Sequence, residues 1–208
     1  MFNGPFVDIL IFAVLAIFLV FRRRSILGRR DGFEEDPNTK AAKAFKTQSK
    51  PDLDTSLPSG EGINAVVASD PSFSQQAFMD GAEQVYAMIL TAFARGDMDE
   101  LRPLLGYDMA SSFSDVINDR RKAGEELSIT ITDLSRTDLL KAMVVEGIAT
   151  ITVEYQSTQI RVLKDENGTI IDGDPAEAET FVDQWTFERD VGSANPNWLL
   201  VETQTSES

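Results

Sequence analysis

The sequence contains no cysteine and no histidine among its 208 residues. These absences exclude disulfide bridges, thiolate nucleophiles, zinc sites built from Cys and His, haem ligation by either residue, and Ser-His-Asp catalysis. Basic side chains are also scarce, with 19 Lys and Arg against 34 Asp and Glu, so the net charge is -15. Because contacts to phosphate need Lys and Arg, a broad nucleic-acid interface is not expected.

The remaining composition is typical of a globular protein with one domain and additional material, since 42% of residues are hydrophobic and 25% are charged. The charge is divided unevenly along the chain. Residues 1–30 hold five arginines and one aspartate, whereas the remainder holds 14 of the 19 basic and 33 of the 34 acidic side chains. A basic N-terminal collar beside an acidic body predicts two different environments.

An apolar run occupies the N-terminus, where every residue from Ile9 to Phe21 is apolar. A helix over residues 6–21 would be about 24 Å long and one over residues 2–21 about 30 Å. The hydrocarbon core of a bilayer is about 30 Å thick, so we predict a transmembrane anchor within residues 1–30. Its apolar surface would be formed by seven side chains: Phe6, Ile9, Leu10, Phe12, Leu15, Phe18 and Phe21.

Two other interpretations of this run fit less well. A cleaved signal peptide carries positive charge before the apolar run and small residues at its end. Here the arginines follow the run, and Val20-Phe21-Arg22 is no cleavage site. A core helix of a globular domain would show a polar face, which this run lacks. The arginines that set the topology are Arg22, Arg23, Arg24, Arg29 and Arg30. Since Lys and Arg stay on the cytoplasmic side, we expect a single-pass membrane protein with its N-terminus outside and its body cytoplasmic.

Residues 31–70 are rich in Pro, Gly and charged residues and are predicted to be a flexible linker. Within this linker, lysines recur every three or four residues, at Lys40, Lys43, Lys46 and Lys50. If helical, this row would lie against anionic lipid, at about 1 kcal/mol per Lys. The alternative is a run of solvated charges. This alternative is favoured because a single Phe gives the segment too little apolar surface for an interfacial helix.

The body, residues 71–205, begins with helical patterns. Apolar residues from Phe73 to Phe93 recur at helical spacing over about six turns, and Gly96 suits the end of that helix. A second amphipathic pattern around Met109 and Phe113 ends at Gly124. We therefore expect two helices at the start of the body.

After Gly124 the pattern alternates with period two, which predicts strands. Glu146-Gly147 is a turn signal between two long strands, and Asn167-Gly168 is a strong hairpin signal. Helices followed by hairpin-linked strands predict an α+β domain in which the helices pack on a curved antiparallel sheet.

Such a sheet wrapped on a long helix often encloses an apolar pocket. The residues predicted to line it are aromatic: Phe78, Tyr86, Phe93, Tyr155, Trp185 and Phe187. The alternative is that these side chains simply pack the core.

Catalysis has few candidates. Asp172, Asp174 and Asp183 are the possible general bases, and Tyr86 or Tyr155 the possible hydrogen-bond donor. The first two aspartates flank a turn glycine, where turn formation explains them. An ion pair with Arg161 or Arg189 would explain Asp183 equally well. We therefore predict no enzyme, no cofactor and no metal site.

Several sequence strings, in order, resemble the Tim-forty-four-like family, the domain family of the matrix-side adaptor of the mitochondrial presequence translocase. The resemblance covers about Pro71 to Thr203. The strings that carry it include residues 78–82 (FMDGA), 92–97 (AFARGD), 101–105 (LRPLL), 182–190 (VDQWTFERD) and 195–201 (NPNWLLV).

The resemblance implies a cone-like, nuclear-transport-factor-two-like fold, association with the inner membrane partly through cardiolipin, an apolar pocket and no catalytic residues. The single span, short linker and acidic body are similar to bacterial family members, so the resemblance implies the bacterial inner (plasma) membrane as the location. The long N-terminal region through which the mitochondrial protein engages its translocase and a DnaK-type chaperone is represented only by residues 40–50. The resemblance therefore does not identify the protein partner, which could be a translocation, chaperone or envelope component.

Three functions follow in order of preference. The first is a membrane-tethered adaptor or scaffold that binds a protein partner at the cytoplasmic face of the inner membrane. The second is binding of a lipid or other hydrophobic ligand in the pocket. The third is a cone-fold enzyme with Asp183 as base. The expected partners are thus a phospholipid membrane, a protein and a bound lipid, with no nucleic acid.

Overall fold

The computed structural model describes residues 59–207, with side chains as far as Thr205. The predicted anchor, its arginines and the linker up to residue 58 lie outside the described residues. In the described part, no helix is both long enough and apolar enough to span a bilayer.

The helices come first and the long strands follow, which confirms the predicted α+β order. The helices are α1 (Ile63–Ser69), α2 (Gln75–Arg95), α3 (Met98–Leu101), a 3-10 turn (Arg102–Leu104) and α4 (Tyr107–Ala123). The strands are β1 (Gly60–Glu61), β2 (Glu126–Val145), β3 (Ile148–Lys164), β4 (Ile170–Asp172), β5 (Glu179–Asp190) and β6 (Leu199–Glu207).

All pairs of named strands in the sheet are antiparallel. The strand order is β1-β2-β3-β5-β6, and β4 pairs with the end of β3. Three register shifts interrupt the pairing of β2 with β3, and one interrupts that of β5 with β6. Because each bulge bends the strand and increases its twist, the sheet curls into a half-barrel around the helices.

Local signals set the ends of both long helices. The Ser74 hydroxyl accepts a hydrogen bond from the Ala77 amide at 3.3 Å, so α2 begins after Ser74. The predicted helix ends are confirmed. Gly96 and Gly124 both have φ near 70°, and their amides donate to carbonyls in the last turns of α2 and α4. Glycine adopts this left-handed conformation without steric cost.

The predicted turns are also confirmed. Glu146 and Gly147 both have positive φ, which matches the twist of a tight hairpin between β2 and β3. Gly168 has φ 78°, and the Asp165 carboxylate accepts amide hydrogen bonds from Asn167 and Thr169 at the β3–β4 turn.

The packed domain begins earlier than residue 71. β1 pairs with β2 at Gly60 and Glu61, and α1 places Val66 in the core with none of its surface exposed. The last part of the predicted linker over 31–70 therefore belongs to the packed domain. Gly62 precedes α1 with φ 81°, a backbone conformation that glycine adopts readily.

The core lies between α2 and the concave face of the sheet. Alternating residues of β3 and β5 point inward, pairing Ile151 with Phe187 and Val153 with Trp185. Residues 181, 183, 185 and 187 share this face as the period-two pattern predicted. α2 lies across the sheet and contributes Tyr86 and Ile89, both essentially unexposed.

Candidate ligand cavity and surface groove

A buried polar network crosses the middle of the core. The Tyr86 hydroxyl donates to Asp183 Oδ2 at 2.5 Å, and the Thr205 hydroxyl donates to Asp183 Oδ1. Gln159 Nε2 donates to the Tyr86 hydroxyl at 2.9 Å and to Ser157 Oγ at 2.6 Å. Both oxygens of Asp183 are thus occupied, which satisfies a carboxylate that is only 3% exposed.

Two stacked tyrosines hold this network. Tyr86 and Tyr155 lie with ring centroids 4.3 Å apart, and the Tyr155 hydroxyl donates to the Ala82 carbonyl at 3.1 Å. Burial raises the pKa of both hydroxyls far above the usual range, and the nearby Asp183 adds to the effect at Tyr86. Both therefore remain protonated donors over the physiological pH range.

An apolar cavity of about 130 Å³ lies on one side of the network, and we call it the inner cavity. α2 and α4 supply one wall through Ile89, Leu90, Phe93, Phe113 and Val116, and β2 supplies Leu127 and Ile129. Polar side chains also line it, among them Arg120, Arg161 and Asp183. A cavity with apolar walls and a few convergent polar groups is suited to an amphipathic ligand.

Arg120 joins the two helices beside this cavity. Its Nη2 donates to the carbonyls of Phe93 and Ala94 at 2.7 and 2.8 Å, and its guanidinium lies 5.2 Å from the Phe93 ring centroid. Arg121 donates likewise to the Gly96 carbonyl at 2.9 Å. The last turn of α4 thus caps the C-terminus of α2, and burial lowers the pKa of Arg120.

A second concavity, the aromatic groove, opens on the other side of the network with a volume of about 310 Å³. Its walls come from α2, the 3-10 turn, β5 and the loop before β6. Its lining residues are Ala77, Phe78, Gly81, Ala82, Val85, Pro103, Leu104, Phe187, Pro196, Asn197 and Trp198. Phe78 and Trp198 pack edge to face with centroids 5.0 Å apart.

Residues 59–205 match the Tim44-like domain family. This covers the whole packed domain and more than half of the chain. The chain belongs to the Tim44-like domain family.

The relatives with curated names are mitochondrial. Over 151 residues, 71% of this chain, it is 25% identical to mouse and 22% identical to human mitochondrial import inner membrane translocase subunit TIM44. It is 24% identical to the probable subunit tin-44 of Caenorhabditis elegans over 152 residues. The chain spans 33–36% of the length of these relatives. Among solved structures, the intermembrane space region of chloroplast protein ARC6 aligns with TM-score 0.44 and 13% identity, over 62% of this chain and 97% of that one.

The six aromatic residues predicted for one pocket of this Tim44-like domain are distributed over three places. Phe93 and Trp185 line the inner cavity, whereas Phe78 and Phe187 line the aromatic groove. The two tyrosines belong to the buried network between them. All six contribute to core packing, as the alternative interpretation held.

The three candidate bases in this Tim44-like domain also lie in different surroundings. Asp183 is enclosed by its donors, and Asp172 lines the inner cavity. Asp174 accepts the Ala176 amide at 2.7 Å, as a turn residue does. Arg189, offered as a partner for Asp183, pairs with Asp70 at 2.6 Å. Among residues 59–205, no three acidic side chains converge as a metal site would require.

Sequence reasoning missed Leu127, Ile129 and Trp198 as contributors to these sites. Leu127 and Ile129 line the inner cavity, and the period-two pattern of β2 was the signal that they face inward. Trp198 lines the aromatic groove, and only the turn residues Asn195 to Asn197 before it indicated a change of direction.

Proposed function

We propose that this protein is a membrane-tethered adaptor of the bacterial inner membrane whose Tim44-like domain binds a protein partner at the cytoplasmic face. The observation that carries the proposal is the family membership of the entire packed domain, since the relatives are named as subunits of a protein translocase. It would act in protein translocation or envelope assembly.

Two further features support this proposal. The apolar run before Arg22 has the length of a bilayer span, and the arginines after it favour a cytoplasmic domain. In the described part, Asp183, Tyr86 and Tyr155 are engaged in structural hydrogen bonds. Recognition by a surface needs no reactive group, so this arrangement suits an adaptor better than an enzyme.

A crosslinking experiment tests the adaptor role. Cells producing the full-length protein are crosslinked, the membranes are washed at high pH, and the protein is purified under denaturing conditions. We expect the protein in the washed membrane pellet, with a defined protein crosslinked to it and not to a control consisting of residues 1–58 alone. Release of the protein by the wash, or crosslinks equal to those of the control, would contradict the proposal.

The second candidate function is binding of a hydrophobic ligand, including a lipid, and the inner cavity is the observation that favours it. A cone of the nuclear-transport-factor-two type would hold such a ligand between α2 and the sheet. Its mostly apolar walls would cover an acyl chain or ring system, and burial of each CH₂ group contributes about 0.8 kcal/mol.

Native mass spectrometry of the full-length protein tests this second function. We expect a retained small-molecule adduct that disappears in Leu127→Trp, because the indole fills the inner cavity. The matched control is Ser128→Trp, whose side chain starts from an exposed position one residue along β2 and should leave the adduct unchanged. A spectrum without an adduct, or an adduct of the same intensity in Leu127→Trp as in the native protein, would exclude ligand binding in this cavity.

A further inference from the structure

The aromatic groove is an apolar concavity with unused space. None of its lining residues is charged, and Ala77 at its rim is exposed. Gly81, in the middle of α2, is one of its lining residues, and a Cβ added there would have no atom within 4 Å. A mid-helix glycine costs stability relative to alanine, and here no close packing requires one. The glycine therefore keeps a depression in the helix surface open.

The domain around the groove is strongly acidic. Residues 59–205 hold 26 acidic and ten basic side chains. Asp80 and Glu83, both exposed, flank Gly81 and Ala82 on α2 beside the groove, while Arg102 adjoins the opposite wall. An apolar segment with positive charge matches this surface, because charge complementarity orients the segment while the aromatic walls bury its apolar side chain.

The same chain contains such a segment. Residues 40–50 (KAAKAFKTQSK) carry four lysines and no acidic residue, and Phe45 is their single large apolar side chain. Three of the five residues before Phe45 are alanines, and the long side chains near it, Lys43 and Lys46, are flexible. The segment thus combines the positive charge and the apolar side chain that match the acidic surroundings and the apolar walls of the groove.

The position of residue 59 allows the segment to reach the groove. Ser59 Oγ accepts the Glu146 amide at 3.1 Å, and the neighbouring Gly147 carbonyl accepts the Val191 amide at 3.0 Å. Val191 begins the loop that leads to Pro196 and Trp198 in the groove wall. The chain thus enters the domain at the end of the sheet where this loop starts. The thirteen residues 46–58 span up to about 43 Å when extended, ample for the return.

We propose that the aromatic groove binds residues 40–50 of the same chain, with Phe45 inserted beside Trp198 and Phe78 and the lysines facing Asp80 and Glu83. The groove is then occupied within the protein itself, and any partner that uses the groove must displace this segment. The proposal does not depend on the adaptor role, since it concerns a contact within one chain.

Disulfide trapping tests the contact, because the native chain has no cysteine. The full-length protein carrying Ala44→Cys and Ala77→Cys, which keeps Phe45, is placed in nanodiscs of neutral phospholipid and treated with a mild oxidant. Since docking raises the local concentration of the two thiols, we expect an intramolecular disulfide roughly tenfold faster than in the control pair. The control pair is Ala44→Cys with Ala87→Cys, where Ala87 is an exposed alanine on another face of α2.

Two variants separate docking from chance encounter. Gly81→Leu, which fills the groove, and replacement of all four lysines of residues 40–50 by Gln should each reduce trapping to the rate of the control pair, whereas Ala87→Leu should not. Equal rates for the two cysteine pairs would overturn the proposal even if Gly81→Leu failed to fold. Disulfide-linked dimers in place of the intramolecular product would assign the groove to a second copy of the chain and would also overturn it.

Discussion

Replacing Asp183 with alanine is expected to lower the free energy of unfolding by about 3 kcal/mol. The substitution removes the acceptor of the fully buried Tyr86 hydroxyl and of the half-buried Thr205 hydroxyl. Unpartnered buried donors carry their full desolvation cost, so the loss exceeds that of one ordinary hydrogen bond. Urea unfolding at pH 7 measures the change. Asp183→Asn keeps the shape and an acceptor oxygen and should lose about half as much.

A double-mutant cycle shows whether this loss comes from the network. Tyr86→Phe removes the donor to Asp183, and the two substitutions together should cost about 1–2 kcal/mol less than their sum. The matched control is Tyr107→Phe, because Tyr107 is 90% exposed and its change should leave stability within about 0.5 kcal/mol. Additive losses would mean that Tyr86 and Asp183 do not stabilise one another.

Replacing Arg189 with methionine is expected to lower the free energy of unfolding at pH 7 by about 3 kcal/mol. The Arg189 and Asp70 side chains are only 12% and 10% exposed, and they join β5 to the turn between α1 and α2. Methionine replaces the aliphatic part of the arginine side chain but leaves the Asp70 carboxylate without its countercharge. An uncompensated charge at a buried site costs more than the pair contributed. Chemical denaturation at pH 7 checks the value.

The same pair predicts a pH dependence. Hydrogen bonds from the hydroxyl and amide of Ser72, and then the charge of Arg189, hold the pKa of Asp70 below its usual value. A carboxyl group with a lowered pKa in the folded state contributes stability that is fully present above about pH 4 and is lost as the pH falls through the folded-state pKa. The difference between the native protein and Arg189→Met should therefore shrink below pH 4.

An exposed ion pair provides the control for this prediction. Lys122 and Asp119 lie 2.8 Å apart on α4 with side chains 75% and 70% exposed. Because solvent screens such pairs, Asp119→Asn should leave the unfolding curve unchanged at neutral pH. A difference between the native protein and Arg189→Met that stayed constant from pH 7 to pH 2 would contradict the assigned role of Asp70.

Local elements of the fold were predictable because their signals lie within a few residues. Gly96 and Gly124 end their helices in the conformation that glycine favours, and Glu146-Gly147 makes the predicted hairpin. The start of the domain was less predictable. α1 contains only seven residues, and its burial depends on Val66 meeting the sheet rather than on its own pattern.

The candidate sites depended on contacts between distant residues. The spacing of Phe78, Tyr86 and Phe93 placed them on one face of α2, as observed in the core. It did not show that the network through Tyr86 divides that face into an inner cavity and an aromatic groove. Asp183 is 97 residues from Tyr86, and Asp70 is 119 residues from Arg189. No local pattern pairs such residues.

The sequence by itself determined the helix and strand order, the positions of the turns, the division of charge and the family resemblance. Each of these depends on residue types and on spacings within one or two turns of chain. Only the tertiary structure decided which carboxylates are enclosed, which aromatics face a cavity and where the domain begins. Those outcomes depend on the register and curl of the sheet around α2, where a shift of one residue would exchange the buried and exposed faces.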